Sequence, residues 1–243
     1  MYSFTIRVAG FVIGVSTIHV RPYADCRAFL TDSADVDISI TSSQHDIDSA
    51  RLAYHDSGMD RVPWDGVLEV AVVFKKLADA FVERNILVLH GSVVAINNEA
   101  YLFSAPSGTG KTTHVKQWLK RCPDAFVVNG DKPFIKFTDE GLPIVCGSPW
   151  AGKEGMYANT MVPLKAIVVM HRSDENHMRQ ISFSEAFPSL LEQVYRPEDE
   201  SKMRKTIHLL LQLSSFVAFW RFDFNNYADD CFQIAYDALS PSI

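Results

Sequence analysis

Cysteine is scarce, with four in 243 residues. Cys26, Cys122, Cys146 and Cys231 lie far apart and form no C-x-x-C pair, which excludes a disulfide framework and zinc-ligand spacing and fits a reducing cytoplasm. A basic excess is also lacking. With 23 Lys and Arg against 29 Asp and Glu the formal charge is −6, and no local basic patch compensates, so nucleic acid is not an expected partner. No run of about 18 uncharged apolar residues occurs, which argues against a membrane span. Internal repeats and low-complexity tracts are absent. The first twenty residues do not read as a cleavable signal, because Arg7 interrupts them, Gly10, Gly14 and His19 follow, and the pattern is that of strands. What is present is a 47% hydrophobic, 21% charged composition, enough for a full core and contrary to disorder or collagen. A cytoplasmic globular protein is expected.

β-Branched and aromatic residues mark strands at Phe4–Val8 and Phe11–Ile18, joined by Ala9-Gly10, and the alternation of Val36, Ile38 and Ile40 with polar residues marks a third. Polar and turn-forming residues dominate Thr41–Pro63, including Asp56-Ser57-Gly58, so this stretch is expected as a surface connection ending the first domain. The expected division is 1–62 and 63–243. From Asp65 a period of three to four residues, Val67, Val70, Ala71, Phe74, Leu77, Ala78 and Phe81, predicts an amphipathic helix with Glu69, Lys75, Lys76 and Glu83 on its solvent face.

Ile86–Ile96 reads as one buried strand, turned at Asn97-Asn98-Glu99 into an antiparallel Tyr101–Ala105. Further strands are expected at Phe126–Val128, at Phe134–Phe137 paired with Ile144–Cys146, at Lys165–Met170 and at Phe216–Phe222, and helices at Thr112–Arg121, Glu185–Tyr195, Glu198–Leu213 and Tyr227–Leu239. Glu198-Asp199-Glu200 suits a helix N-terminus, Asp229-Asp230 a solvated helix face, and Phe219, Trp220 and Phe222 a core or interface.

The sharpest motif is Ala105-Pro106-Ser107-Gly108-Thr109-Gly110-Lys111-Thr112, followed by Thr113, which fits the phosphate-loop pattern with Ala at the first glycine position. It falls between an apolar strand and a helix, where that pattern has physical meaning. Gly108 and Gly110 let successive N–H groups converge on phosphate oxygens, and the helix beginning near Lys111 adds the positive end of its dipole. Lys111 supplies a point charge for the β- and γ-phosphates, Thr112 a hydroxyl ligand for Mg²⁺, and Thr113 a further phosphate contact.

The strand before this loop arrives through a tight antiparallel turn, whereas a doubly wound protein would bring it from a βαβ unit. With Leu89-His90-Gly91 ahead of the loop, and Asn129-Gly130-Asp131-Lys132-Pro133, Pro149-Trp150-Ala151-Gly152-Lys153 and Pro163-Leu164-Lys165 behind it, the chain resembles the HPr kinase/phosphorylase and phosphoenolpyruvate carboxykinase superfamily. Within it the order of these motifs is similar to HPr-kinase-like proteins of anaerobic bacteria. The resemblance spans about 86–172, weakens in the C-terminal helices and is slight before Asp65. It implies an α/β fold: a mixed parallel and antiparallel sheet with a P-loop nucleotide domain flanked by helices, and a small β-rich N-terminal subdomain. It implies ATP, a divalent metal and phosphoryl transfer, and leaves the acceptor unnamed. Assembly into a homo-oligomer is common in the superfamily, and the residues are silent on it.

Four positions outside the loop carry chemistry on this reading, each beside a plainer alternative. Asp131 follows a strand end and is a candidate Mg²⁺ ligand, the alternative being that Asn129-Gly130-Asp131 is only a turn. HPr kinases carry two adjacent Asp here, one taking the proton from the substrate hydroxyl. Gly130 replaces the first, so Asp131 serves both purposes, another group takes the proton, or transfer is slow. His90 interrupts an apolar strand, either as a hydrogen-bonded core residue or as a γ-phosphate sensor or proton acceptor. Lys153, in the long polar connection 147–163, is either a solvated surface residue or a group that neutralises the transferred phosphoryl or holds an anionic acceptor. Arg172 is a surface charge or a weaker anion-binding candidate.

The expected function is ATP- and Mg²⁺-dependent transfer of the γ-phosphate to a hydroxyl of a peptide, protein or small metabolite, with the N-terminal strands as a lid or recognition domain for the acceptor. The alternatives are a nucleotide-binding regulator without turnover and a carboxykinase-like enzyme acting on an oxo-acid, for which the chain is short and lacks a convincing second-metal set.

Overall fold

The computed structural model describes residues 1–56, 61–225 and 230–239. Two compact units emerge, Met1–Arg84 and Asn85–Ile243.

The first unit opens with an antiparallel hairpin of β1 (Tyr2–Val8) and β2 (Phe11–Thr17), in register from Tyr2 opposite Thr17 to Val8 opposite Phe11. Ala9 and Gly10 both take positive φ, 53° and 83°, as a two-residue turn matched to strand twist requires. A short helix α1 (Arg21–Asp25) and a 3₁₀ turn at Arg27–Phe29 then lead to β3 (Ile38–Thr41), which pairs parallel to β2.

The surface connection expected over 41–63 instead contains a helix, α2 (Gln44–Asp56). Its single fully buried residue is Ile47, so no apolar period announces it. Polar contacts hold it. Ser43 and Asp46 cap reciprocally, with the Asp46 amide on Ser43 Oγ and the Ser43 amide on the Asp46 carboxylate, while Lys76 reaches Asp46 at 2.7 Å. Ser57 and Gly58 lie outside the described residues.

Helix α3 (Asp65–Glu83) forms as its period predicts, and it packs on α1, α2 and β3, within the first unit. The sequence division at 62/63 places it with the nucleotide domain; α3, with Leu68, Val73, Leu77 and Phe81 buried, belongs instead to the first unit. Glu69, expected on the solvent face, is fully buried. Its carboxylate accepts the amides of Ile18 and His19, at 2.6 and 2.7 Å, the Ser42 hydroxyl and the His19 ring, and these donors replace the water it loses.

The second unit is a mixed nine-stranded sheet with helices on both faces. Its strands are β4 (Ile86–Val88), β5 (Ser92–Ile96), β6 (Glu99–Ser104), β7 (Phe126–Asn129), β8 (Phe134–Phe137), β9 (Pro143–Cys146), β10 (Met161–Arg172), β11 (His177–Ile181) and β12 (Ala218–Phe224). The order is β4-β8-β9-β10-β6-β5-β7, with β12 also beside β10 and β11 beside β12. β10 runs parallel to β6 and β12, and the other pairs are antiparallel. This is the mixed α/β architecture expected.

The stretch 86–96 is two strands, because the chain changes partner at His90-Gly91: β4 pairs with β8, and β5 with β6 and β7. The β5–β6 turn carries Asn97 and Asn98 at positive φ, and β8–β9 forms the second expected hairpin. β11 escapes the period argument because it is an edge strand with mostly polar residues, His177-Met178-Arg179-Gln180.

Alternating residues of β10 feed two cores. Ile167 and Val169 face Leu190 of α5 (Phe183–Gln193) and Leu209 of α6 (Glu200–Leu213) in one core. Val168 and Met170 join Val115 and Trp118 of α4 (Lys111–Arg121) and Phe232 of α7 (Cys231–Leu239) in the other. Phe219 and Phe222 are core residues, and Asp199 caps α6 by accepting the Lys202 amide. Residues 227–229, the expected start of the last helix and half of Asp229-Asp230, lie outside the described residues.

His114 is fully buried in the second core, against the rings of Phe103 and Phe222. Its Nε2 accepts from Trp118 Nε1 at 3.1 Å, so the ring proton is on Nδ1, 3.5 Å from Cys231 Sγ. Burial pushes its pKa down to about 3. The unfolded ring therefore binds a proton near pH 6.5 that the folded ring refuses, and stability falls as pH drops through the interval between the two values, by about 1.4 kcal/mol per pH unit. Urea midpoints should fall from about pH 6.5 downward, above the carboxylate range, and His114→Gln should flatten that slope. An unchanged slope in the variant would assign the acid loss to other groups.

Candidate functional site

β6 ends at Ser104, α4 begins at Lys111, and the loop between them turns at Gly108 and Gly110, whose φ values of 77° and 119° are left-handed. These glycines let the chain reverse without strain. The first-turn amides of α4 have no carbonyl one turn back and point out of the helix end. Lys111 is folded over the loop, its Nζ donating to the carbonyls of Ala105 at 2.8 Å and Pro106 at 3.1 Å. Burial lowers its pKa, opposed by the Asp131 carboxylate.

Asp131 follows β7 in a turn built by Asn129. The buried Asn129 side chain accepts the amides of Asp131 and Lys132, at 2.8 and 2.7 Å, and donates to Ser148. The turn alternative at Asn129-Gly130-Asp131 and a chemical role are thus compatible: the turn aims the carboxylate. Asp131 Oδ1 is 3.2 Å from His90 Nε2, and His90 Nδ1 is 2.7 Å from the Gln193 side chain at the end of α5. An ionised carboxylate only accepts, so the ring nitrogen facing it carries hydrogen, and both nitrogens of His90 are engaged. Burial works to raise the Asp131 pKa; the His90 hydrogen bond and the charges of Lys132 and Lys111 outweigh it and hold the carboxyl below its usual value.

The long connection after β9 is tied down rather than loose: Gly130 donates to the Met156 carbonyl at 2.9 Å and Lys132 to that of Trp150 at 3.1 Å. A Cβ on Gly130 would lie 3.0 Å from the Ala151 carbonyl oxygen, and one on Gly152, at φ 72°, 3.0 Å from Asp131 Cβ. A backbone carbonyl therefore crowds Gly130, while Gly152 combines a left-handed φ with close approach to the Asp131 side chain itself.

These elements surround a cleft of about 510 Å³. Of the residues expected from the sequence, Ser107, Gly108, Gly110, Lys111, Thr112, Thr113, His90, Asp131 and Lys153 line it. Pro106 and Thr109 belong to the loop through their own contacts, Thr109 Oγ1 donating to the Pro106 carbonyl at 2.7 Å. Arg172 is not in the lining; its guanidinium donates to the carbonyls of Gly108 and Thr109. Glu154 lines the cleft too and pairs with Lys116 of α4 at 2.6 Å. No local sequence pattern marks Glu154, or Gln193, 103 positions from the histidine it holds.

The sequence matches none of the protein-family models and none of the curated proteins compared with it. Among solved structures the chain is similar to the Hpr(Ser) kinase/phosphatase from Coxiella burnetii, at 11% identity and a TM-score of 0.37, over 62% of this chain and 95% of that one. That likeness is distant, and the chemistry of the cleft rests on its own residues. The cleft brings together the first-turn amides of α4, the Lys111 side chain, the Thr112 hydroxyl and the Asp131 carboxylate, groups whose chemistry suits anionic oxygens and a hard cation. Among the described residues no helix is long and apolar enough to cross a membrane.

Proposed function

We propose that the second unit binds ATP with Mg²⁺ and transfers the γ-phosphoryl group to a hydroxyl of a peptide, protein or small metabolite. The supporting observation is that a phosphate loop, with Lys111 and Thr112, opens on the same cleft as the Asp131 carboxylate. The amides of 107–113 and the Lys111 ammonium would hold the phosphate oxygens. Thr112 and Asp131 fit a hard cation that keeps most of its shell as water and phosphate oxygen. Bound there, Mg²⁺ would neutralise phosphate charge.

With both nitrogens engaged, His90 is assigned to orient Asp131 rather than to take the proton itself. Asp131 would receive the hydroxyl proton as the acceptor O–P bond forms and the bond to the bridging β-phosphate oxygen breaks. Lys153 would neutralise phosphoryl charge or hold an anionic acceptor. The regulator reading is favoured by one feature, the missing carboxylate at Gly130, where the Ala151 carbonyl leaves little room for a side chain. No observation favours carboxykinase chemistry.

Calorimetry of MgATP binding tests the proposal. Lys111→Ala is expected to weaken binding about 10- to 100-fold, the worth of one charge-assisted contact. Equal affinity in wild type and variant would remove the phosphate loop from function. ATP consumption with candidate acceptors then separates enzyme from regulator, since binding without turnover on any acceptor supports the latter.

A further inference from the structure

A loop that turns its amides inward must turn carbonyls outward, and those of Gly108 and Thr109 fall between β6 and α4, where neither sheet ladder nor helix takes them up. Arg172 does: Nε donates to the Thr109 carbonyl at 3.2 Å and Nη2 to that of Gly108. The planar guanidinium presents these donors as one rigid fork. Its position is set by the sheet. β10 runs parallel to β6, the strand that enters the loop, and Arg172 is in register with Phe224 of β12, whose carbonyl takes the Ser173 amide at 3.0 Å.

We infer that Arg172 is a positioning residue that braces the phosphate loop from behind in its anion-receiving shape. This rests on the nucleotide reading and replaces direct anion contact as the role of Arg172. The brace fixes the loop before ligand arrives, so less ordering is left to oppose binding. It also predicts a pattern that direct contact does not. A group touching the γ-phosphate separates ATP from ADP, whereas a group shaping the loop affects both alike.

The experiment is calorimetry of MgATP and MgADP with the full chain, wild type and Arg172→Gln, Arg172→Ala and Arg172→Lys, together with hydrogen exchange on the nucleotide-free proteins. The Gln and Ala variants should lose about tenfold for both nucleotides by the same factor, a discounted value for exposed charge-assisted hydrogen bonds. The Thr109 amide, which donates to the Pro106 carbonyl at 3.4 Å, should exchange faster while the interior of α4 is unchanged. Arg172→Lys should recover only part of the affinity, since an ammonium has no fork. A loss confined to ATP would overturn the brace in favour of γ-phosphate contact, and unchanged affinities with unchanged exchange would overturn it outright. Wild-type protein that binds neither nucleotide would remove the nucleotide reading itself and the brace with it, a result distinct from variants that merely match a binding wild type.

Discussion

Asp131→Asn should lower phosphoryl transfer by about 10²- to 10⁴-fold, the range over which a positioned base contributes, while the protein stays folded and retains MgATP affinity within about tenfold. The substitution keeps the shape and the Asn129-built turn, because both amide contacts of Asn129 reach backbone nitrogens at 131 and 132. It removes the charge. His90→Ala separates positioning from proton transfer. Burial raises the Asp131 carboxyl and the His90 hydrogen bond lowers it, so losing His90 should move the acid limb of the pH–rate profile to higher pH with a smaller fall at neutrality. Single-turnover kinetics across pH would check both. Unimpaired transfer by Asp131→Asn would take the carboxylate out of the chemistry, and an unmoved acid limb in His90→Ala would leave the histidine a core residue.

Glu69→Ala is the largest stability loss expected, about 3–5 kcal/mol for breaking a buried, fully partnered charge. The carboxylate joins three segments distant in sequence: the end of β2 through the Ile18 and His19 amides, the approach to α2 through Ser42, and its own helix α3. Truncation strips the part-buried Ile18 and His19 amides of their acceptor and leaves the buried Ser42 hydroxyl only the Ser16 carbonyl at 3.4 Å. Glu69→Gln should cost less, since its amide oxygen keeps one acceptor while its NH₂ group confronts a donor. Burial raises the Glu69 pKa and the contacts from Ser42, Ile18 and His19 reverse that to a net lowering, so its contribution is complete above about pH 4.5 and is lost as pH falls below it. Urea unfolding of the full chain at neutral pH measures the difference, and a loss under about 1 kcal/mol would mean water already serves those donors.

The parts of the protein legible in its sequence are those held by near neighbours. The phosphate loop is a continuous string in which each residue's role depends on the next. The turn at Asn97-Asn98 was equally visible, since positive φ at both central positions is met by few residue types, whereas Ala9-Gly10 is marked by its glycine alone. Helix α3 was visible as a period, though its buried face is rotated enough to take in Glu69. Helix α2 hid because a helix held by polar contacts shows no apolar stripe, although Ser43-Gln44-His45-Asp46 carries a capping signal.

Sequence alone determined the turn chemistry, the strand and helix periods and the phosphate-loop motif, because the patterns behind them span a few residues along the chain. Tertiary structure alone decided that 86–96 breaks at His90 to change partners, that Gln193 holds that histidine and that Arg172 bonds the loop rather than lining its cleft. It also supplied the reason for Gly130, a carbonyl from twenty-one residues later in the chain. Such contacts depend on which strands lie side by side, and strand order follows from the burial of the whole sheet between two helical layers.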